Sequence, residues 1–404
     1  MHPQRLQGSR LPRTVVVLGV VSLLTDLSSE MIFPLLPAFL ALRLPGAAPL
    51  LLGLMEGLAE LVASVLKFQS GRWADRSRRL KPLVLAGYSV SGLARPLMAF
   101  ITAPWQPVLI RALDRVGKGV RSTPRDALIA HAVPPGLRGR AFGFHRGMDH
   151  AGAALGALMA MGLLALGLRV ESVFLLSAVP GFLGVLAILL APEPAHVPVV
   201  PGGAQASPLP RRLGWYLGPV VLFGLANATD GFLLLKLSAE GARPTLLPLA
   251  WLLLHVVKAA VSYPAGHLAD RLGPARLVVT GWLLYALSYF ALAAVHGVAA
   301  TLAVMALYGL YHALAEGAEK ALLVSLVPPE ARGRAFGLYN ALAGFAALGA
   351  GLLFGGLWTR AGSSVAFAAA AGVAALAAVA LALLLPRARA QKGKPPGPSG
   401  SFDL

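Results

Sequence analysis

Cysteine is absent from the 404-residue chain, which excludes disulfides, thiolate metal sites and cysteine nucleophiles. Charge is scarce: 13% of the residues are Asp, Glu, Lys or Arg, against roughly 25% in soluble domains. Strand-length alternation of polar and apolar residues is missing, which argues against a β-barrel. No Gly-x-x-x-x-Gly-Lys-Ser/Thr loop occurs, so an ATP-driven pump is disfavoured. No nucleophile–base pair or cofactor motif stands out and the connecting loops are short, so an enzyme is not expected and no cofactor is called for. What the chain has instead is apolar residues, 57% of the total. So apolar a chain cannot present a polar surface to water on every side, and lipid is the solvent that suits it.

The formal net charge is +18. A basic balance can mean nucleic acid or an anionic surface, but here the basic residues sit in short loops between apolar runs, as membrane topology requires. Nucleic acid is therefore not an expected partner.

Twelve apolar runs of membrane-helix length can be placed, at about 14–42, 49–70, 82–102, 105–131, 140–167, 170–191, 213–238, 245–265, 275–296, 299–326, 335–359 and 363–386. The basic segment 1–13 before the first run resembles a signal peptide, but that run is too long for one, contains Asp26 and Glu30, and lacks a small-residue cleavage site. It reads as a retained first membrane helix. Residues 192–212 hold six prolines and read as a polar linker. The tail 387–404 is basic, then rich in Pro, Gly and Ser, a composition expected to be disordered. The expected organisation is thus a six-helix bundle over 14–191, a linker over 192–212, and a second bundle over 213–386.

Alternate loops are basic. Arg72, Arg76, Arg78, Arg79 and Lys81 fall in one; Arg138 and Arg140, Arg211 and Arg212, Arg271 and Arg276, and Arg332 and Arg334 follow in the others of that set. The remaining loops hold single arginines: Arg43, Arg169, Arg243 and Arg360. The asymmetry predicts cytoplasmic termini and linker in a multi-pass protein of the inner, cell membrane.

The chain also repeats itself. Gly71-Arg72-Trp73-Ala74-Asp75-Arg76 recurs as Gly266-His267-Leu268-Ala269-Asp270-Arg271. Val133-Pro134-Pro135-Gly136-Leu137-Arg138-Gly139-Arg140-Ala141-Phe142-Gly143 recurs as Val327-Pro328-Pro329-Glu330-Ala331-Arg332-Gly333-Arg334-Ala335-Phe336-Gly337. Thr25-Asp26 is echoed by Thr229-Asp230. The two long matches share one offset to within a residue, and each stands at the same place relative to the runs. The expected fold is an all-α membrane protein of twelve transmembrane helices in two pseudo-symmetric six-helix bundles, duplicated in parallel.

The loop GRWADRSRRLK and its counterpart GHLADRLGPAR resemble the signature loops of the major facilitator superfamily. The resemblance covers roughly residues 14–386. It implies a secondary transporter in which two bundles rock about a central site, with spans 1, 4, 7 and 10 lining the cavity and spans 2, 5, 8 and 11 forming the bundle interface. It implies a conformational latch of Gly71, Asp75, Arg76, Gly266, Asp270 and Arg271, in which Asp75 meets the N-terminus of span 11 and Asp270 that of span 5; the alternative is ordinary topology charge. A carboxylate at a helix N-terminus gains roughly 0.3–1 kcal/mol. Drug–proton antiporters of the superfamily carry an arginine in span 4 followed by Gln-Gly-x-Gly. Here Gly117-Lys118-Gly119 supplies the glycines, Leu113 and Val116 take the arginine and glutamine places, and Arg111 and Arg115 flank them. Their span-5 signature Gly-Pro-x-x-Gly-Gly is matched only by Gly152-Ala153-Ala154-Leu155-Gly156-Ala157, without the proline.

Ionisable residues inside spans cost roughly 2.5–3.5 kcal/mol each on insertion scales, so each is a functional candidate. Asp26 and Glu30 lie four apart on one face of span 1 and suit proton coupling or cation binding; structural pairing is the alternative. Glu56, Glu60 and Lys67 form a stripe on span 2 that suits the bundle interface. Arg111, Arg115 and Lys118 form a basic ladder on span 4, and Asp149 on span 5 is expected to face Arg115 or Arg111. In the second half, Asn227, Asp230, His312 and Glu316 are the cavity candidates, with packing as the alternative for His312. Trp251, Tyr285, Tyr289, Tyr308 and Tyr311 suit a lipophilic cation or plain packing.

The leading functional expectation is a monomeric, proton-coupled secondary transporter of a small molecule, leaning to efflux of a lipophilic or cationic compound. The alternative is uptake of an anionic metabolite, for which Arg95, Arg111, Arg115, Lys118, Lys236 and Lys258 supply charge. Metal-ion export and a transport-dead membrane sensor rank below these; no tight metal-ligand motif is present.

Overall fold

The computed structural model describes residues 11–77, 79–134, 137–192, 209–328 and 331–390; side chains at 72, 75, 76, 138–140, 259, 262, 263, 266, 267, 269, 270, 332, 333 and 385–390 also lie outside the description. The described residues are helical nearly throughout. Helices α1 (Arg13–Glu30), α2 (Leu36–Arg43), α3 (Ala48–Arg76) and α4 (Lys81–Ala94) are followed by a short 3-10 helix (Arg95–Phe100). Then come α5 (Trp105–Ala132), α6 (Arg138–Ala165), α7 (Val170–Leu176) and α8 (Ala178–Leu189). The second half supplies α9 (Arg211–Ala226), α10 (Gly231–Ala239), α11 (Leu246–Leu272), α12 (Pro274–Ala294), α13 (Val298–Leu326), α14 (Arg332–Ala361) and α15 (Ser363–Ala390).

Long Ala- and Leu-rich stretches set the helices, because these residues lose little conformational freedom in them. Turn residues end them. Gly273 takes φ 86° before α12, where a side chain would be strained, and Pro274 follows at the first helical position, where its missing N–H costs nothing.

Nine helical stretches among the described residues are long and apolar enough to cross a membrane. The other three expected passages have physical reasons to fall short. α1 carries Arg13, Asp26 and Glu30 and gives way to turns before α2. α5 carries seven Asp, Lys and Arg side chains. α11 offers an apolar stretch only over Leu246–Lys258. Together they give the twelve passages that the sequence predicts.

The chain condenses into two compact units, one comprising Met1–Gly203 with Thr229–Leu253, the other Ala204–Ala228 with Leu254–Leu404. The duplication divides at the 192–212 linker; compaction adds Thr229–Leu253 to the first unit, where α10 packs on α2 and α3.

In the first unit, α1 packs on α6, and α3 and α4 pack on α5. Small residues bring these backbones close, as in membrane helix pairs generally. A Cβ added at Gly152 would lie 2.3 Å from the Leu23 carbonyl oxygen, and one at Gly156 2.5 Å from that of Leu27. In the second unit, α12 packs on α13 and α15, and α9 on α14 and α15. Its core is aromatic: Phe223 stacks on Trp282 at 4.4 Å and Tyr285 on Tyr289 at 4.1 Å, with Tyr308 and Tyr311 beside them. These tyrosines pack a core. Outward-facing leucines and phenylalanines such as Leu93, Phe100, Phe182, Leu287, Phe290 and Leu383 are exposed, as a lipid-facing surface requires.

Candidate functional site

The first unit encloses a cavity of about 150 Å³. Its walls come from one face of α1 and the turn after it (Asp26, Ser29, Glu30, Phe33), the 3-10 helix (Arg95), α5 and α11 (Trp251). From α5 come Arg111, Asp114, Arg115, Lys118 and Arg121. Three- and four-residue steps keep these five on one stripe of the helix. The lining therefore holds three carboxylates and five cationic groups.

Much of this charge is tied down. Glu56 of α3 reaches the cavity wall and accepts two hydrogen bonds from Arg111, Nε to Oε1 at 2.7 Å and Nη2 to Oε2 at 3.0 Å. Arg111 also donates from Nη1 to Asp114 Oδ2 at 3.3 Å. The other Asp114 oxygen accepts from Arg95 Nε at 2.9 Å, and Arg95 Nη1 donates to the Thr25 carbonyl at 2.8 Å. Arg121 donates to Ser91 Oγ at 2.5 Å and lies over the Tyr88 ring at 4.4 Å. These groups are buried. The result is a fixed lattice linking α3, α5, the 3-10 helix and α1. In a region of low dielectric such a lattice is costly to break at one member.

The remaining charge is loose. Arg115 stands 3.9 Å from Glu56 and its Nε has no hydrogen-bond partner. Lys118 is exposed to the cavity and makes no ion pair within 4 Å among the described residues. Glu30 accepts from Trp251 Nε1 at 2.6 Å and from Ser29 at 3.3 Å but touches no cation among the described residues. The Asp26 carboxylate has no ion pair and no hydrogen bond among the described residues. Phe33 packs against Trp251 at 4.8 Å beside these acids.

Of the sequence-predicted cavity residues, Asp26, Glu30, Arg111, Arg115 and Lys118 thus come together. Asp149 does not line this cavity, and the expectation that it faces Arg115 or Arg111 is corrected. Those arginines face Glu56 and Asp114, while the tight α1–α6 contact at Gly152 puts Asp149 against α1. There it accepts a hydrogen bond from Ser22 and stands 3.5 Å from His145 Nδ1 and 3.6 Å from Arg146. Glu56, expected at the bundle interface, points instead into the first unit because Arg111 holds it. Glu60 and Lys67 stay half-exposed, 3.8 Å apart. Asn227 ends α9 and Asp230 precedes α10. His312 and Glu316 lie on α13 in the second unit, His312 3.3 Å from the Tyr308 hydroxyl and Glu316 3.2 Å from Lys320. Of the expected latch, Gly71 lies within α3 and Arg271 is exposed near the end of α11. Asp75, Arg76, Gly266 and Asp270 fall outside the residues whose side chains are described.

Of the lining residues, the sequence reading did not assign Asp114, Arg121, Ser29 and Phe33 to the site, and it named Arg95 and Trp251 only as charge for an anion and as a surface for a lipophilic cation. An arginine inside the apolar run 82–102 was the available signal for Arg95. Asp114 shares the α5 stripe with Arg111 and Lys118.

The model of the Major Facilitator Superfamily matches residues 18–255 and 241–402. The uncharacterized MFS-type transporter MJ1317 of Methanocaldococcus jannaschii is 30% identical over 358 residues, 86% of this chain and 89% of that protein. The multidrug resistance protein MdtH of Proteus mirabilis is 26% identical over 341 residues, 83% of this chain and 82% of that protein. Among solved structures, the nucleoside transporter NupG superposes with a TM-score of 0.75 at 15% identity, covering 93% of this chain and 99% of that one. This last likeness is one of fold.

Proposed function

Because this chain belongs to the major facilitator superfamily, whose members are membrane transporters of small molecules and not enzymes, we propose that it is a proton-coupled secondary transporter whose central site is the α1–α5 cavity. One observation carries the coupling. Among the described residues, Asp26 and Glu30 are cavity carboxylates with no cation in direct contact, while the neighbouring acids Glu56 and Asp114 are locked in buried ion pairs. A carboxylate held by an arginine keeps its charge; one facing an open cavity without a cation is able to gain and lose a proton as the cavity changes access. Lys118 and Arg115 are the mobile positive charges that answer each change.

We read the direction as export, supported by the multidrug resistance name of the relative in Proteus mirabilis. The substrate reading is a small compound with an organic cation, received by Asp26 and Glu30 beside Phe33 and Trp251. A second reading, uptake of an anionic metabolite, is supported by Lys118 and Arg115, the two loosely held cations of the lining. The protein works as a monomer in the cell membrane with both termini cytoplasmic, and Asp75, Arg76, Asp270 and Arg271 act as its latch.

The test is flux into and out of proteoliposomes under an imposed pH gradient, across organic cations and anions. Gradient-driven flux that is lost in Asp26→Asn or Glu30→Gln supports the reading. A correctly folded protein that moves nothing in response to the gradient refutes proton coupling. Gradient-driven movement of anions alone turns the substrate assignment to the second reading.

A further inference from the structure

The second unit holds a carboxylate unlike those of the cavity. Glu319 of α13 is held by neutral donors from two other helices. Trp282 Nε1 of α12 donates to its Oε1 at 2.8 Å, and the Tyr339 hydroxyl of α14 donates to its Oε2 at 2.8 Å. Tyr216 of α9 adds a bond from its hydroxyl to the Glu319 backbone carbonyl at 3.0 Å. Four helices therefore meet at one residue. No cation lies within ion-pair distance of the Glu319 carboxylate among the described residues. Among the described residues, the titratable groups facing it are Tyr216 from α9, Tyr339 from α14, and His312 and Glu316 from its own helix. From α12 comes Trp282, and Lys258 of α11 acts on Glu316. Lys320, the next residue, is 3.2 Å from Glu316.

We infer that Glu319 is a second proton-binding site, built into the second unit. The chemistry of the two donors makes this possible without loss of either contact. An indole N–H can only donate, so Oε1 must remain an acceptor. A phenol hydroxyl both donates and accepts. When H⁺ adds to Oε2, the new O–H donates to the Tyr339 oxygen and the Tyr339 proton turns away, so the pair keeps its hydrogen bond with direction reversed. A carboxylate locked to arginine has no such option, because guanidinium offers donors alone. Glu319 is only half-buried, and the charged pair Glu316–Lys320 beside it is exposed, so a proton has a polar approach.

This site stands apart from the Asp26–Glu30 reading. The test is pH-difference infrared spectroscopy on the full-length purified protein in lipid nanodiscs, following the carboxylic acid C=O stretch. One band is expected to disappear in Glu319→Gln and to persist in Asp26→Asn. The same band is expected to move to higher frequency in Trp282→Phe, because its carbonyl loses the indole donor. Difference spectra of Glu319→Gln identical to those of the parent protein would overturn the inference. Should Glu319→Gln fail to fold, Trp282→Phe decides alone: a protein with every carboxyl band unmoved removes Glu319 as a proton site.

Discussion

The buried lattice of the first unit makes a quantitative prediction at Glu56. Replacing Glu56 by Gln changes shape little but removes one negative charge from beneath Arg111. The amide oxygen can still accept from Arg111 Nε, now at 2.7 Å from Oε1. The amide nitrogen then faces Arg111 Nη2, whose present bond is 3.0 Å, and Arg115 Nη2, 3.9 Å away. Both are donors, so one bond becomes a repulsion. Asp114, which already serves Arg95, is then the one carboxylate that pairs with Arg111 among the described residues. Glu56 and Arg111 are 8% and 7% exposed, so solvent does little to screen the loss. Breaking a buried pair at one partner costs about 3–5 kcal/mol, roughly a hundredfold or more in the folding equilibrium at 1.36 kcal/mol per decade. The assay is reversible SDS-titration unfolding of the purified protein in mixed micelles, with Glu56→Leu, Arg111→Leu and their double variant in one cycle and Glu56→Gln measured beside it. Each single variant is expected to lose most of that amount. The double variant is expected to lose much less than their sum, since the two charges that neutralise each other leave together and Arg115, 3.9 Å from Glu56, loses only a distant partner. A loss below about 1 kcal/mol for Glu56→Gln, the range of a solvent-exposed pair, would show that water screens this lattice, and would refute the division between locked and free acids.

Three further outcomes follow from the same geometry. Gly152→Ala sets a methyl group 2.3 Å from the Leu23 carbonyl oxygen, so α1 and α6 must part; a loss of about 1–3 kcal/mol is expected, and unchanged unfolding would mean that the seam is slack. Asp26→Asn is expected to abolish the pH dependence of transport while leaving unfolding near the parent value, because Asp26 makes no ion pair among the described residues; a loss as large as that of Glu56→Gln would mean that Asp26 is a structural ion. Asp75→Asn, at the proposed latch, is expected to alter the rates of transport and the accessibility of single cysteines introduced at the two ends of the cavity, on an otherwise cysteine-free background; rates and labelling equal to the parent would remove the latch role.

The cavity residues were legible in the sequence to the extent that their signal was local. Asp26 and Glu30 are four apart on α1, and Arg111, Arg115 and Lys118 recur at helical spacing on α5, so each set declares a common face. Asp149 shows where this fails. It lies one helical turn past His145, and nothing local says whether α6 turns that face to α5 or to α1. Gly152 and Gly156 decide it, through the Leu23 and Leu27 backbones. Glu56 fails in the same way: a charge stripe on α3 reads as an interface until Arg111 is seen to lie across from it.

By itself the sequence determined the helical passages, the duplication and the alternation of basic loops, because hydropathy, repeat and charge are properties of consecutive residues. It also determined that acids and bases would share the membrane interior. Only the tertiary structure decided which of them neutralise one another. It locks Glu56 and Asp114 to arginines, leaves Asp26 and Glu30 with no cation in direct contact among the described residues, and sets neutral donors from α12 and α14 on Glu319. The reason is physical: the cost of a charge in a membrane protein depends on what lies within about 4 Å of it, and those neighbours come from helices far apart in the chain.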